Sequence, residues 1–170
     1  MALYLSGEST NGSVNIGLNS DKNSAILAES VIYNCSAHVE EKDGQKVAKG
    51  NVTEVGLLKY LMESNISIDE LYINKGSETF FEFQIPFNSS RKRQTSAVRL
   101  ANGNVRVFVK GGPEIVIEQC TSSLNAEGKK TPLSDDQKNE LMNVSIVKQY
   151  ASKCYRTLLV AYCDYSDSEW

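Results

Sequence analysis

An aromatic residue followed by three consecutive cations is the first feature of this sequence that could do chemistry. Phe87 ends an alternating apolar segment, and Arg91, Lys92 and Arg93 follow it closely. An aromatic ring can stack on a purine base, and nearby cations can then hold phosphates. The alternative is a core phenylalanine followed by a solvated basic turn, and the spacing alone does not separate the two interpretations.

A second candidate lies at residues 110–114, where a predicted strand is followed by a predicted helix. Lys110 ends the strand, and Gly111 and Gly112 precede the helix. Glycine lets a ligand approach the backbone, and a helix N-terminus favours anions. Because the two glycines have no side chains that could shield the lysine from solvent, we expect the Lys110 amine to be exposed. The alternative is a turn that needs glycine only for its own geometry.

Two further charged residues stand beside apolar segments. Glu54 is aligned with Leu57, Leu58 and Leu61 on one helix face, where an unpaired carboxylate is costly. It either caps its own helix or serves as an acceptor in a site. Arg156 separates a predicted helix from an apolar strand, and it is either a surface or ion-paired arginine or part of a binding site.

Most catalytic and metal-binding templates are absent from the sequence. The single histidine, His38, is predicted on a solvated helix next to Glu40 and Glu41, and no motif surrounds it. Neither of the glycine-rich phosphate-binding motifs G-x-x-x-x-G-K-[ST] and G-x-G-x-x-G occurs, and acidic residues do not cluster at metal-loop spacing. We therefore expect no catalytic residue and no metal site in this chain.

Composition narrows the class of protein further. The 170 residues carry a net charge of −3, which argues against nucleic acid as a main partner. No apolar run of membrane-spanning length occurs, so no membrane contact is expected. The four cysteines contain no C-x-x-C pair and are predicted to be free thiols. They are Cys35, Cys120, Cys154 and Cys163.

The helices that position the candidate residues are predicted from periodicity and capping signals. Apolar spacing predicts a helix over 24–39. The run that begins at Asn51 resembles a capping box and predicts a second helix. A third helix is predicted from the Ser134–Gln137 capping box to about Tyr155, and Pro113 suits the first turn of a short helix.

The strands are predicted from alternation and turn chemistry. An alternating strand over 81–85 is expected to be half-buried and to end at Pro86. The Asn-Gly pair at 102–103 predicts a two-residue turn between strands 95–100 and 104–110. A final apolar strand is predicted over 157–162. Helices before and after a central hairpin, without a βαβ series, predict an α+β fold with an antiparallel sheet flanked by helices.

Four segments, in this order, resemble signature segments of the nucleotide-binding domain of P-type ATPases, the cation pumps. Residues 50–58 resemble the family's Thr/Ser-Glu segment that leads into a helix, and residues 86–93 resemble its Phe-x-Ser-x-Arg-Lys segment. Residues 108–120 resemble its Lys-Gly-Ala-x-Glu segment, and residues 151–162 its closing arginine-containing strand. The subtype is most similar to calmodulin-regulated calcium pumps of the plasma-membrane type.

The resemblance implies a role for each candidate residue and the fold of that nucleotide-binding domain. Phe87 would stack on adenine, and Glu54 would accept a hydrogen bond from the amino group of the base or from a bridging water. Lys110, beside Gly111, would line the base and ribose side of the pocket. Lys92 would approach the phosphates.

Arg156 would reach the ribose or phosphate from the opposite wall. Here the sequence departs from the family, because Cys154 stands where glycine is usual. Loss of that glycine removes an easy left-handed helix ending and leaves displacement of Arg156 open.

The resemblance also implies a larger parent protein. The family's phosphorylated aspartate lies in an Asp-Lys-Thr-Gly-Thr motif that this sequence lacks, so the chain resembles an excised ATP-binding domain of a membrane pump. We expect it to bind ATP and ADP without hydrolysis, and Mg²⁺ to be engaged only in the full-length pump. The implied partners are the phosphorylation and actuator domains of the parent chain and a calmodulin-type regulator that acts elsewhere in it.

The expected organisation is a flexible N-terminal segment over 1–23, a nucleotide-binding domain over 24–165 and a tail over 166–170. The domain would be the cytoplasmic part of a multi-pass protein in the plasma membrane or another calcium-transporting membrane. One alternative is a regulatory or interaction domain with degenerate nucleotide binding. A free-standing ligand-binding or RNA-binding module that uses residues 91–93 is disfavoured by the acidic balance and by the lack of interleaved aromatic residues.

Overall fold

The computed structural model of this chain describes residues 22–63, 68–75, 81–125, 127–148 and 150–170. The helices and strands are numbered in chain order. They are α1 (Lys22–Tyr33), β1 (His38–Lys42), β2 (Gln45–Lys49), α2 (Val52–Glu63), α3 (Asp69–Lys75), β3 (Phe81–Asn88), β4 (Arg93–Arg99), β5 (Val105–Gly111), α4 (Pro113–Val116), β6 (Ser122–Leu124), β7 (Lys130–Pro132), α5 (Asp135–Glu140) and β8 (Leu159–Tyr165).

A four-stranded antiparallel sheet in the order β3-β4-β5-β8 organises the described structure. Because neighbouring strands run in opposite directions, β3 and β5 end where β4 and β8 begin, and we call this edge the site end. Two separate hairpins, β1–β2 and β6–β7, complete the strands. The predicted α+β fold, an antiparallel sheet flanked by helices, is confirmed.

One face of the sheet, the helical face, packs against α1 and α2. Phe108 of β5 is fully buried there, with its ring 6.3 Å from that of Tyr33 in α1. Leu58 and Leu61 of α2 are buried in the same core, together with Glu54. The predicted helix face of α2 is therefore correct, and it places a carboxylate beside the sheet.

The opposite face is covered over β5 and β8 by α4 and the helical turns that follow α5. Val116 and Ile117 pack there with Leu159 and Ala161 of β8. Over β3 this face is more open, and Phe83 stacks on Trp170 with ring centroids 5.9 Å apart. The predicted tail over 166–170 thus contacts the sheet through its last residue.

Two bulges in β3 explain why simple alternation misplaces its side chains. Phe81 pairs with Val98, but Phe83 pairs with the adjacent Ala97, so Phe81 and Phe83 lie on opposite faces. Phe81 accordingly packs against the core of the helical face. The strand also continues through Pro86 to Asn88, beyond the predicted end.

The segment before α2 differs from the prediction. Helix α1 ends at Tyr33, and His38 lies in β1 instead of on a helix. The charged run that follows is a hairpin whose turn contains Asp43 and Gly44, both with positive φ. Because both strands are mostly exposed, their sequence lacks the apolar alternation from which a strand is predicted.

Other local predictions are confirmed or refined. Ser134 and Gln137 form the predicted capping box, although the helix after Glu140 widens into π turns over Leu141–Lys148. The β4–β5 turn contains three residues, because Leu100 and Asn104 still pair across it, and Gly103 supplies the φ of +83°. The predicted flexible segment over 1–23 falls outside the described residues, apart from 22 and 23, which begin α1.

Candidate functional site

The centre of the candidate site is a buried ion pair between α2 and β5. The Lys110 Nζ lies 2.8 Å from Glu54 Oε1, and the two residues are 5% and 4% exposed. The expectation that Lys110 is exposed is wrong. Phe108 and Lys110 share the helical face, so the lysine points under α2 instead of out over the glycines.

Glu54 is held by groups from three parts of the chain. Its Oε2 accepts hydrogen bonds from the Ser36 amide and hydroxyl, the Ala37 amide and the Asn51 side chain, at 2.6–3.2 Å. Asn51 Oδ1 in turn caps the Glu54 amide at 3.1 Å. The glutamate therefore does not cap its own helix, and its Oε1 is the oxygen left to face Lys110.

These donors outweigh the cost of burying the carboxylate. Burial raises the pKa of Glu54, but the hydrogen bonds from Lys110 and Ser36, the charge of Lys110 and the Ala37 amide together lower that pKa to about 2. The carboxylate is therefore ionised throughout the physiological range and acts as a permanent acceptor.

The position of Gly50, at the start of the segment that contains Glu54, requires a glycine. Its φ is +142°, and a Cβ there would lie 2.5 Å from the Cβ of Ala37. The close approach brings the Ala37 amide within reach of Glu54. A side chain at this position would separate the two segments.

Phe87 lies in the same row of the sheet as Lys110. Gln94 of β4 pairs with Lys110 of β5. On the other side of Gln94, β3 has a bulge, so that residues 86 and 87 both lie opposite Gln94. The register therefore directs Phe87 to the helical face, away from Asn88. Its side chain is 60% exposed, so a planar ligand has access to the ring.

Lys92 and Gly111 lie together at the site end. The Gly112 amide donates to the Lys92 carbonyl at 3.0 Å, and a Cβ on Gly111 would lie 2.3 Å from that carbonyl oxygen. Lys92 itself has a φ of +49°. Gly111 is thus required for close approach of two backbones, as the geometric alternative proposed.

An acidic side chain occupies the N-terminal turn of α4, where the sequence suggested an anion site. Glu114 lies 3.2 Å from Lys92 Nζ, and its own backbone amide and Lys92 lower the pKa of its carboxyl group. Its carboxylate is so near Gly112 that a Cβ there would contact it at 2.9 Å. The chain's own anion therefore sits beside Lys92.

Arg156 joins the site from the segment before β8. Its Nη1 donates to the hydroxyl of Thr53, the neighbour of Glu54, at 2.7 Å. Cys154 adopts the left-handed conformation that the usual glycine would adopt, with a φ of +61°. The turn therefore forms without glycine, and Arg156 lies against the start of α2.

The groups behind Glu54 were not predicted from the sequence. Asn34 donates to the Gln94 carbonyl at 3.3 Å, and Lys75 of α3 donates to the carbonyls of Ile32 and Cys35 at 2.8 and 3.0 Å. No local signal could reveal these contacts, because each joins residues at least 40 positions apart.

Within the described ranges, no cluster of three or more His, Cys, Asp or Glu side chains has the arrangement to hold a metal ion. In the same part of the chain, no helix combines the length and apolar character needed to cross a membrane.

Residues 23–170 match the family described as P-type ATPase, cytoplasmic domain N. The chain belongs to this family. It is 35% identical over 147 residues to a rice protein, "Probable calcium-transporting ATPase 6, plasma membrane-type", in an alignment that covers 85% of this chain and 14% of that protein. It is 26% identical over 130 residues to human "Plasma membrane calcium-transporting ATPase 4", covering 76% of this chain and 10% of the human protein.

The matches cover a single domain of the relatives. The chain spans only 10–14% of the length of these two relatives. The P-type ATPase fold predicted from the four segments is confirmed, and all four segments lie inside the matched residues. The N domain described here therefore corresponds to one part of much longer calcium-transporting proteins.

Proposed function

We propose that this N domain binds ATP and presents it within a calcium-transporting P-type ATPase. The observation that carries the proposal is the exposed Phe87 ring in the same sheet row as the buried Glu54–Lys110 pair. A planar base needs an aromatic face and a polar edge contact, and this row supplies both. The relatives' names indicate calcium as the transported ion.

Each residue has a role that its contacts support. Phe87 stacks on adenine, and Glu54 Oε1, which accepts from Lys110, has capacity for a second hydrogen bond from the base amino group. Lys110 and Gly111 form the floor beneath base and ribose. Lys92 lies on the phosphate side.

Arg156 approaches from the α2 side, through its contact with Thr53. The phosphate chain would extend past Lys92 and Arg156 toward the phosphorylation domain of the parent protein, where an aspartate accepts the γ-phosphoryl group. Mg²⁺ would be engaged there. In the parent pump the domain would lie on the cytoplasmic side of the plasma membrane or another calcium-transporting membrane, with the actuator domain and a calmodulin-type regulator as further partners.

Titration of the chain with ATP, followed by amide chemical shifts, tests the proposal. One stacked ring, a few cations and one acceptor suggest a dissociation constant on the order of 0.1–10 mM. ADP should bind within about tenfold of ATP, because the base contributes more than the last phosphate. The shifts should concentrate at Phe87, Lys92, Gly111 and the first turn of α2.

Several outcomes would contradict the proposal. No saturable shifts with ATP would favour the alternative of an interaction domain that has lost nucleotide binding. Shifts with RNA but not with ATP would favour the RNA-binding alternative. Strictly Mg²⁺-dependent micromolar binding, or phosphate release, would show a catalytic site in the chain itself.

A further inference from the structure

A single peptide group lies between Lys75 and Glu54. The Cys35 carbonyl accepts from Lys75 Nζ at 3.0 Å, and the amide of the same peptide bond, Ser36 N–H, donates to Glu54 Oε2 at 3.2 Å. The C=O and N–H of a trans peptide point in opposite directions. The ammonium and the carboxylate therefore lie at opposite ends of one peptide dipole.

This arrangement strengthens both hydrogen bonds. A cation at the carbonyl polarises the peptide and makes its N–H a better donor, and charge-assisted bonds are stronger than neutral ones. The neighbouring Ala37 amide donates to the same Glu54 oxygen. Fixing the Cys35–Ser36 peptide thus fixes one of the two amides that orient the carboxylate, and it holds the residue that precedes the other.

Lys75 also fastens the start of this segment. It donates to the Ile32 carbonyl at 2.8 Å, one of the last carbonyls of α1, which ends at Tyr33. Such carbonyls have no partner within the helix, and a lysine is a favourable one at a helix C-terminus. The residues between α1 and β1 are therefore held by a side chain from α3.

We infer that Lys75 is a positioning residue for base recognition: through the Cys35–Ser36 peptide it orients Glu54 so that Oε1 faces the ligand and Lys110. The inference rests on the proposed function, since it assigns Lys75 to the same ATP site. The charged and titratable groups around this peptide are Lys75, Glu54, Lys110, the Cys35 thiol and the Tyr72 hydroxyl of α3. Lys75 itself does not touch the nucleotide.

Base selectivity measures this role. Inosine triphosphate carries an oxygen where ATP carries the amino group, and it therefore presents an acceptor to Glu54. We expect the unchanged protein to prefer ATP by roughly tenfold or more in calorimetric titrations. Lys75→Met should reduce the preference to within about threefold, mainly by weakening ATP binding.

The carboxyl group gives a readout that does not depend on nucleotide. Carbon NMR should show Glu54 ionised at about pH 3.5 in the unchanged protein, because its pKa is about 2. In Lys75→Met its titration should move to higher pH, and the Ser36 amide proton should move upfield. Lys46→Met is the matched control, because Lys46 pairs with Asp69 of the same α3 at the surface, 2.6 Å away.

A merely structural lysine would behave differently. If Lys75→Met lowered the melting temperature but left the Glu54 titration and the ATP preference unchanged, the inference would be overturned. If Lys75→Met did not fold, Lys75→Gln would replace it, because glutamine keeps an uncharged hydrogen-bond donor. In Lys75→Gln, the pKa of Glu54 should rise and the preference for ATP should fall, but each only in part. Unchanged values of both would again overturn the inference. If the unchanged protein bound neither nucleotide, the proposed function would fail, while the Glu54 titration would still test the contact to Lys75.

Discussion

Arg156 donates a hydrogen bond to Thr53 at 2.7 Å, and this contact joins residues 103 positions apart in the sequence. It places a guanidinium group next to the start of α2, where Glu54 lies. The contact depends on the turn at Cys154, which adopts a left-handed conformation without the glycine that usually favours it. The position of Arg156 is therefore achieved at a conformational cost.

Cys154→Gly should stabilise the domain. An L-residue in the left-handed region costs roughly 1–2 kcal/mol, and the extra freedom of glycine in the unfolded chain offsets roughly 0.5–1 kcal/mol of the gain. We expect a net increase of about 0.5–1 kcal/mol in the free energy of unfolding, measured by urea denaturation. Ala151→Gly, in the helical turn just before, should instead lower stability; equal effects of both substitutions would contradict the explanation.

Glu54→Gln should strongly destabilise the fold. It leaves the Lys110 ammonium buried without its countercharge, and breaking a buried pair in this way costs about 3–5 kcal/mol. Chemical denaturation at neutral pH measures the loss. Glu40→Gln provides the control, because the Glu40 carboxylate pairs with His38 and Lys49 at the surface, where ion pairs contribute little, and no measurable change is expected there.

Stability should also depend on acid through the same carboxyl group. Because folding lowers the pKa of Glu54 from 4.5 to about 2, its contribution is fully present above pH 4.5 and is lost as the pH falls toward 2. The contribution amounts to about 3 kcal/mol. Urea denaturation at pH 6 and pH 3 should show about 2 kcal/mol of this loss in the unchanged protein, because pH 3 still lies above the folded pKa, and a much smaller loss in Glu54→Gln.

Phe87→Ala should weaken ATP binding and leave the fold intact. The ring is 60% exposed, so its removal should change stability by no more than about 0.5 kcal/mol. Loss of a stacking partner should weaken binding by about 1–3 kcal/mol. Phe108→Ala, which removes a fully buried ring, should instead cost about 3–5 kcal/mol of stability. A large fall in melting temperature for Phe87→Ala with unchanged ATP affinity would show that Phe87 is a core residue.

Glu114→Gln should tighten ATP binding. The Glu114 carboxylate now lies beside Lys92 and competes with phosphate for that ammonium group. Both side chains are about half exposed, so the gain should be modest, about two- to fivefold in the dissociation constant. Glu118→Gln, one turn later and exposed, serves as the control. A weaker affinity of Glu114→Gln would mean that Glu114 orders the site instead of competing within it.

The sequence predicts those parts of the molecule that depend on local pattern. The α2 face that unites Glu54 with Leu58 and Leu61, the capping box at Ser134 and the β4–β5 hairpin all follow from spacing within one element. The resemblance to the P-type ATPase N domain then supplies the order of the signature segments.

What could not be predicted depends on long-range contacts or on small changes in register. The partner of Glu54 lies 56 residues away, so the sequence could not show that Lys110 is buried. Simple alternation would place Phe83 and Phe87 on the same face of the sheet, but the bulge between them places the two rings on opposite faces. The β1–β2 hairpin is mostly exposed and has no apolar signal of its own.

Gly111 has a consequence for the spacing between β5 and the basic turn that contains Lys92. With no side chain between them, β5 and the Lys92 carbonyl are in backbone contact, so the spacing from the Lys110 floor to the basic turn is set by main-chain atoms. A side chain at position 111 would force these two segments apart, since its Cβ would lie 2.3 Å from the Lys92 carbonyl oxygen. In the proposed ATP site, the distance from base to phosphate is therefore set by a main-chain contact between β5 and the basic turn.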